Sequence, residues 1–163
     1  MKKLKILIVA AIVLLVAFGT KCYADNREKE VHNVCEVVGA KYGISPELLQ
    51  AIAYTESRYQ TNAQNGECKG ICQVNLRLHA DRLIKLGISD PLTDYSQITL
   101  CADIITDLRK NGKYGNEVSW VLDRYNGLLK ADMYCDQGIM SDYATKVLNK
   151  ARELEIQYGK GNQ

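Results

Sequence analysis

Outside tyrosine, aromatic bulk is scarce in this 163-residue chain: one Trp and one Phe stand against ten Tyr. The only two histidines, His32 and His79, lie far apart and read as solvated side chains. Without paired histidines, and with Cys68-Lys69-Gly70-Ile71-Cys72 matching no strong ligand spacing, no metal site and no cofactor are expected. No Lys/Arg cluster with interleaved aromatics is present, which argues against a nucleic-acid partner. The longest apolar run, Ile6 to Phe18, has 13 residues, whereas a membrane-spanning helix needs about 20. No repeat or low-complexity segment occurs.

What is there begins with a short apolar stretch between lysines. Lys2, Lys3 and Lys5 precede Ile6–Phe18, and Gly19, Thr20 and Lys21 follow it, the layout of a secretory signal. Cys22-Tyr23-Ala24 puts small residues three and one before a cut, so cleavage after Ala24 is expected. Lys21 disfavours a lipoprotein cut before Cys22, and an uncleaved anchor stays open. The expected organisation is a signal over 1–24, a charged linker over 25–30, one domain over 31–159 and a tail over 160–163. The destination is the periplasm or the extracellular cell wall. Cleavage removes four of the 21 basic residues and none of the 19 acidic ones, turning a formal +2 into −2. About 139 residues remain, enough for a real core. Export makes disulfides expected. Five cysteines survive the cut, an odd number, and the pairing expected is Cys35–Cys101 and Cys68–Cys135 with Cys72 buried and free.

The pattern is helical nearly throughout, and the fold class expected is all-α. Helices are expected over 31–42, 46–57, 78–86, from about Ile98 to Asn111, over 118–126, and from Ser141 to Gly159. Gln60 to Lys69 reads as a polar loop, Ser89 to Thr93 as a turn and Gly70 to Val74 as a strand remnant. The 46–57 segment opens with a Ser45 N-cap and Pro46 at the first helical position. Its apolar stripe runs through Leu48, Leu49, Ile52 and Ala53, and Glu56 continues it. A carboxylate on a buried stripe loses hydration, and the end of a helix is its negative pole; both favour the protonated form. A neutral carboxyl near neutral pH is what a general acid must be. The plainer alternative is an ion pair with Arg58 or Lys69.

Four elements follow in order: Tyr42-Gly43-Ile44-Ser45-Pro46-Glu47-Leu48-Leu49, Glu56-Ser57, Gly70-Ile71-Cys72-Gln73 and Tyr125-Asn126-Gly127. In these the chain resembles the soluble lytic transglycosylases, relatives of goose-type lysozyme, and most of all their small stand-alone members that accompany secretion and conjugation machines. The resemblance covers roughly residues 31–158. It implies a compact lysozyme-like lobe with a substrate cleft, acting as a monomer on peptidoglycan strands, with an envelope-spanning machine as an accompanying partner. It implies cleavage of the β-1,4 bond between N-acetylmuramic acid and N-acetylglucosamine. Glu56 falls on the family's single catalytic acid. Ser57, Gln73, Tyr125 and Asn126 fall on substrate-side positions, with the tyrosine close to the acid and the glutamine near the acetamido group.

Each of these residues also has a plainer reading. Gln73 satisfies loop backbone, Tyr125 continues an apolar stripe with Val118, Val121 and Leu122, Asn126-Gly127 stops a helix, and Ser57 finishes one. The chain departs from the family pattern at Cys72, where methionine is usual, at Arg124, where a small residue is usual, in lacking an alanine between Asn126 and Gly127, and in its polar 62–69 loop. These departures bear on cleft shape and substrate preference more than on the acid. Most glycosidases need two carboxylates. The family uses one, which first protonates the leaving oxygen and then takes the C6 hydroxyl proton as a 1,6-anhydro ring closes. Glu67 and Asp81 lie nearby in sequence, but nothing marks either as a second acid. The competing readings are a hydrolase on the same fold, a wall-binding component that does not cut, and a disulfide-built interaction domain.

Overall fold

Residues 2–159 are described by a computed structural model, and the expected tail over 160–163 lies outside the described residues. They are mostly helical, with seven helices and one small three-stranded sheet.

The first helix, α1 (Lys2–Tyr42), runs unbroken through the expected signal, linker and first domain helix. The linker expected over 25–30 is therefore part of a helix, and it is tied to the domain. Arg27 donates to Asp94 at 2.6 Å, to the Thr61 hydroxyl at 2.8 Å and to the Tyr59 carbonyl at 3.0 Å. The carbonyl of Glu28 accepts Gln50 Nε2 at 3.2 Å. Charged residues hid this attachment, because the contacts that use them come from distant parts of the chain. Among the described residues no helix is long and apolar enough to cross a membrane.

Gly43, at φ 66°, ends α1, and the Ile44 N–H returns to the Gly39 carbonyl at 3.1 Å. The expected start of α2 (Pro46–Ser57) is borne out: the Ser45 hydroxyl accepts the Leu48 N–H at 3.3 Å. Its inward face carries Leu49, Ile52 and Ala53, all fully buried. The expected polar loop contains strands β1 (Gln64–Asn65), β2 (Cys68–Lys69) and β3 (Val74–Asn75), antiparallel in that order, with Asn65 opposite Cys68 and Cys68 opposite Asn75. Two-residue polar strands carry no alternation to read. Only Val74 of the expected Gly70–Val74 remnant is in a strand; the rest is turn.

Next come α3 (Ala80–Leu86), two residues shorter than expected at its start, and α4 (Asp94–Asn111), capped by Thr93. After α5 (Val118–Tyr125), the short α6 (Ala131–Asp136) escapes sequence reading because six residues hold too little periodicity. It is held by the buried Ala131 and by Trp120 Nε1, which donates to Asp132 at 2.7 Å. Last is α7 (Asp142–Tyr158), whose cap Ser141 accepts the Ala144 N–H at 3.0 Å and donates to the buried Asp123 of α5. One core joins these elements: α2 packs on α7 and α1, α1 on α4, and α5 on α4, α6 and α7.

The cysteines differ from expectation. All six are free, and neither expected bridge is formed. Cys35, Cys72 and Cys101 are fully buried, and the Cys72 thiol, with Cys101 beside it, is pushed well up in pKa. Cys68 has Glu56 and Glu67 as charged neighbours, whereas Cys135 has Glu117, Asp132 and Asp136. His32 is also misread as solvated. It is buried, with Nδ1 2.7 Å from Gln50 Oε1 and its ring stacked on Tyr158 at 3.6 Å. His79 is half-buried, and burial with Arg82 nearby lowers its pKa.

Candidate active site

Glu56 closes the buried stripe of α2 one turn after Ile52 and Ala53, and its own side chain is half-buried. Loss of water raises its pKa above the ordinary 4.5, and a hydrogen bond from Tyr143 pulls it partly back. That bond is short, 2.6 Å from the Tyr143 hydroxyl to Glu56 Oε1. Neither expected ion-pair partner takes it: among the described residues no Lys or Arg pairs with Glu56, and Arg58 lies instead over the Tyr54 ring at 4.1 Å. No acidic neighbour contributes to its shift. A lone carboxyl whose burial favours the protonated form can give a proton away and then take one back.

Tyr143 is the residue of this candidate site that sequence reading missed. Its signal is weak but present, since Tyr143 begins the buried stripe that continues through Val147, Ala151 and Leu154. Two links aim it: Ser141 caps α7 while holding Asp123 of α5, and α7 packs along α2. Burial first, then the nearby Glu56 charge, drives the Tyr143 phenol far up, so it stays a donor. Removing that hydroxyl takes a donor from the ionised carboxylate, so Glu56 should bind its proton more tightly still. For Tyr143→Phe we expect the alkaline limb of the pH–rate profile to move to higher pH. The rate should fall about 10–100-fold, the worth of one hydrogen bond to a charged group. A limb that stayed put would remove Tyr143 from the site.

Two cavities meet at Glu56 and Asn126. One, of about 840 Å³, is lined by Glu56, Tyr143, Asn126, Tyr54 and the 139–142 segment. The other, of about 550 Å³, is lined by Glu56, Gln73, Tyr125, Asn126, Asn65 and Asn75. Gln73 and Tyr125 thus share a cavity wall with the acid, but neither hydrogen-bonds to it. Gln73 sits at φ 48° and donates to the Ala63 and Gly70 carbonyls at 3.0 and 2.8 Å, which is its plainer reading. The Tyr125 hydroxyl donates to the Cys72 carbonyl at 2.8 Å, so the tyrosine on Glu56 is Tyr143 instead. Asn126 caps the end of α5, exposed and on both cavities.

Ser57 is not brought to either cavity wall. It is buried, shares its one hydroxyl proton between the Ile71 and Ala53 carbonyls at 2.8 and 3.2 Å, and accepts the Gln60 N–H at 3.1 Å. Turned inward, Ser57 pins the Gly70–Gln73 turn to α2 instead of lining either cavity. Of the other acids near Glu56, Asp107 takes hydrogen bonds from Asn111 and Arg82, which hold its carboxyl below the usual range. Among the described residues no group of three or more His, Cys, Asp or Glu side chains is arranged to hold a metal.

No protein-family model and no curated protein matches the sequence. The reading of the site therefore rests on its own chemistry.

Proposed function

We propose that this protein is an exported peptidoglycan lytic transglycosylase of lysozyme-like fold, with Glu56 as its single catalytic acid and base. One observation carries the reading: a solitary half-buried carboxyl with a raised pKa, oriented by a tyrosine hydroxyl, stands where two cavities meet. Volumes of about 840 and 550 Å³ fall within the range of small-molecule sites, about 300–1,000 Å³, and two such sites joined at one acid suit an extended chain. The amides of Asn65 and Asn126 offer the paired donors and acceptors that sugar hydroxyls and acetamido groups need, and Gln73 adds an acceptor oxygen, its two N–H groups being held by the Ala63 and Gly70 carbonyls.

In this scheme protonated Glu56 gives its proton to the bridging glycosidic oxygen as the bond from C1 breaks. The substrate's own acetamido group stabilises the positive charge at C1. Ionised Glu56, steadied by the Tyr143 hydroxyl, then takes the C6 hydroxyl proton, and that oxygen closes onto C1. Glu56 ends protonated, no water is consumed, and the product is a 1,6-anhydromuramic end. The absence of an acidic neighbour from the electrostatics of Glu56 favours this route over the two-carboxylate scheme of most glycosidases.

Mass analysis of fragments released from purified peptidoglycan tests the reading. Muropeptides lighter by one water than hydrolysis products are expected. Reducing ends would mean a hydrolase on the same fold, and retention of the wall without any fragment would mean a binding component.

A further inference from the structure

The two cavities at Glu56 differ in chemistry. The smaller carries amides near the acid and two arginines, Arg82 paired with Asp103 and Asp107 and Arg124 lying over the Trp120 ring at 5.9 Å, whereas the larger carries three cations, Arg58, Lys146 and Lys150. Arg58 and Lys150 crowd one ring, lying 4.1 and 4.5 Å from the Tyr54 centroid. Like charges gathered this way repel unless an anion joins them. Lys150 is offset by Glu28 at 3.9 Å and Glu153 at 3.5 Å. Arg58 and Lys146 have no carboxylate within ion-pair distance among the described residues. Besides Glu56, the one acid in this lining is Asp142, exposed in the first turn of α7.

The backbone adds a second, independent sign. Arg58 and Tyr59 sit at φ 56° and 66°, two successive non-glycine residues in the left-handed region. Each such residue costs of order 1 kcal/mol or more, and strain of this kind gathers at ligand sites. A shorter or glycine-bearing exit from α2 would avoid it, but would not put a guanidinium on this wall.

We infer that the larger cavity binds the carboxylates of the stem peptides attached to muramic acid, so that the enzyme selects peptide-bearing strands over bare glycan. This rests on the peptidoglycan reading above. The sugars of such a strand are uncharged, and its anions are peptide carboxylates. A guanidinium takes a carboxylate through two parallel N–H bonds, and the neighbouring ammonium groups add charge without fixed geometry. Asn126, on both cavities, marks where the sugar path and the peptide branch separate.

The test compares kcat/KM on purified peptide-bearing glycan strands with that on the same strands stripped of peptide by an amidase. The wild-type protein is expected to favour peptide-bearing strands by about tenfold, the combined worth of two or three partly screened contacts. In the double variant Arg58→Gln/Lys146→Gln that ratio should fall to about one or two. Lys146 is exposed on α7, so Lys146→Glu alone tests the idea if the Arg58 change harms folding, and it should lower the ratio below the wild-type value. Raising salt from about 0.1 M to about 1 M shortens the screening length from about 10 Å to about 3 Å and should also erase the preference. Equal wild-type rates on both strands, or a preference unmoved by these changes, overturns the inference while leaving the transglycosylase reading intact. Cleavage of neither strand overturns both.

Discussion

Replacing Glu56 by Gln is expected to lower peptidoglycan cleavage by about 10²–10⁴-fold, the usual contribution of a positioned acid–base group, while raising thermal stability at neutral pH. The two effects have one cause. Burial lifts the Glu56 pKa above 4.5, so the folded protein keeps a proton that the unfolded chain releases. Stability is therefore unaffected by this group below about pH 4.5 and falls as pH rises through the folded-state value, because the native state must then ionise a carboxyl in a dry site. Glutamine is permanently neutral and keeps the shape, so it escapes that cost. The melting temperature of Glu56→Gln should match wild type near pH 4, exceed it increasingly as pH rises, and level off once pH passes the folded-state value. The Tyr143 hydroxyl still has an amide oxygen to donate to, so the geometry survives the change. Near-wild-type turnover in this variant would end the assignment. Lost activity with lower stability at every pH would instead make Glu56 a structural residue.

How much of this was legible beforehand depends on distance along the chain. Helix α2 is readable because its cap, its Pro46 and the Leu49–Ile52–Ala53–Glu56 stripe all fall within one short segment. A titratable group on a buried stripe needs no partner to be noticed. Tyr143 lies 87 residues from Glu56, and no local period reports which helix α7 will meet. The same limit explains Arg27, whose partners at Tyr59, Thr61 and Asp94 are set by tertiary packing. Cys72 and Cys101 meet because the 70–73 turn lies on α4, which spacing alone does not reveal. The tiny sheet and α6 fail for another reason: two to six residues cannot display a pattern. Motif spacing brought Gln73, Tyr125 and Asn126 to the cavity walls but misplaced the Ser57 hydroxyl, which faces the chain interior.

Gly70→Ala is expected to destabilise the protein by about 2–4 kcal/mol, combining left-handed strain with overpacking, and to depress cleavage further than the stability loss explains. Gly70 adopts φ 80°, where an L side chain is strained, and a Cβ there would lie 2.4 Å from Gln97 Cδ. Gln97 is fully buried and tethered by its amide to the Pro91 carbonyl at 2.6 Å, so it has little room to yield. The turn that would shift is the one whose carbonyls are held by Ser57 at Ile71, by Tyr125 at Cys72 and by Gln73 at Gly70 itself. Displacing it moves Gln73 and Tyr125, and with them one wall of the cavity beside Glu56. The midpoint of thermal unfolding should fall by about 5–15 °C for a chain of this size. Gly66→Ala separates the two causes. That glycine is also left-handed, at φ 58°, but a Cβ there meets nothing within 4 Å, so only the dihedral strain of about 1 kcal/mol should appear. Equal losses at both positions would show that contact with Gln97 does not hold the turn, and that this cavity wall is positioned by some other means.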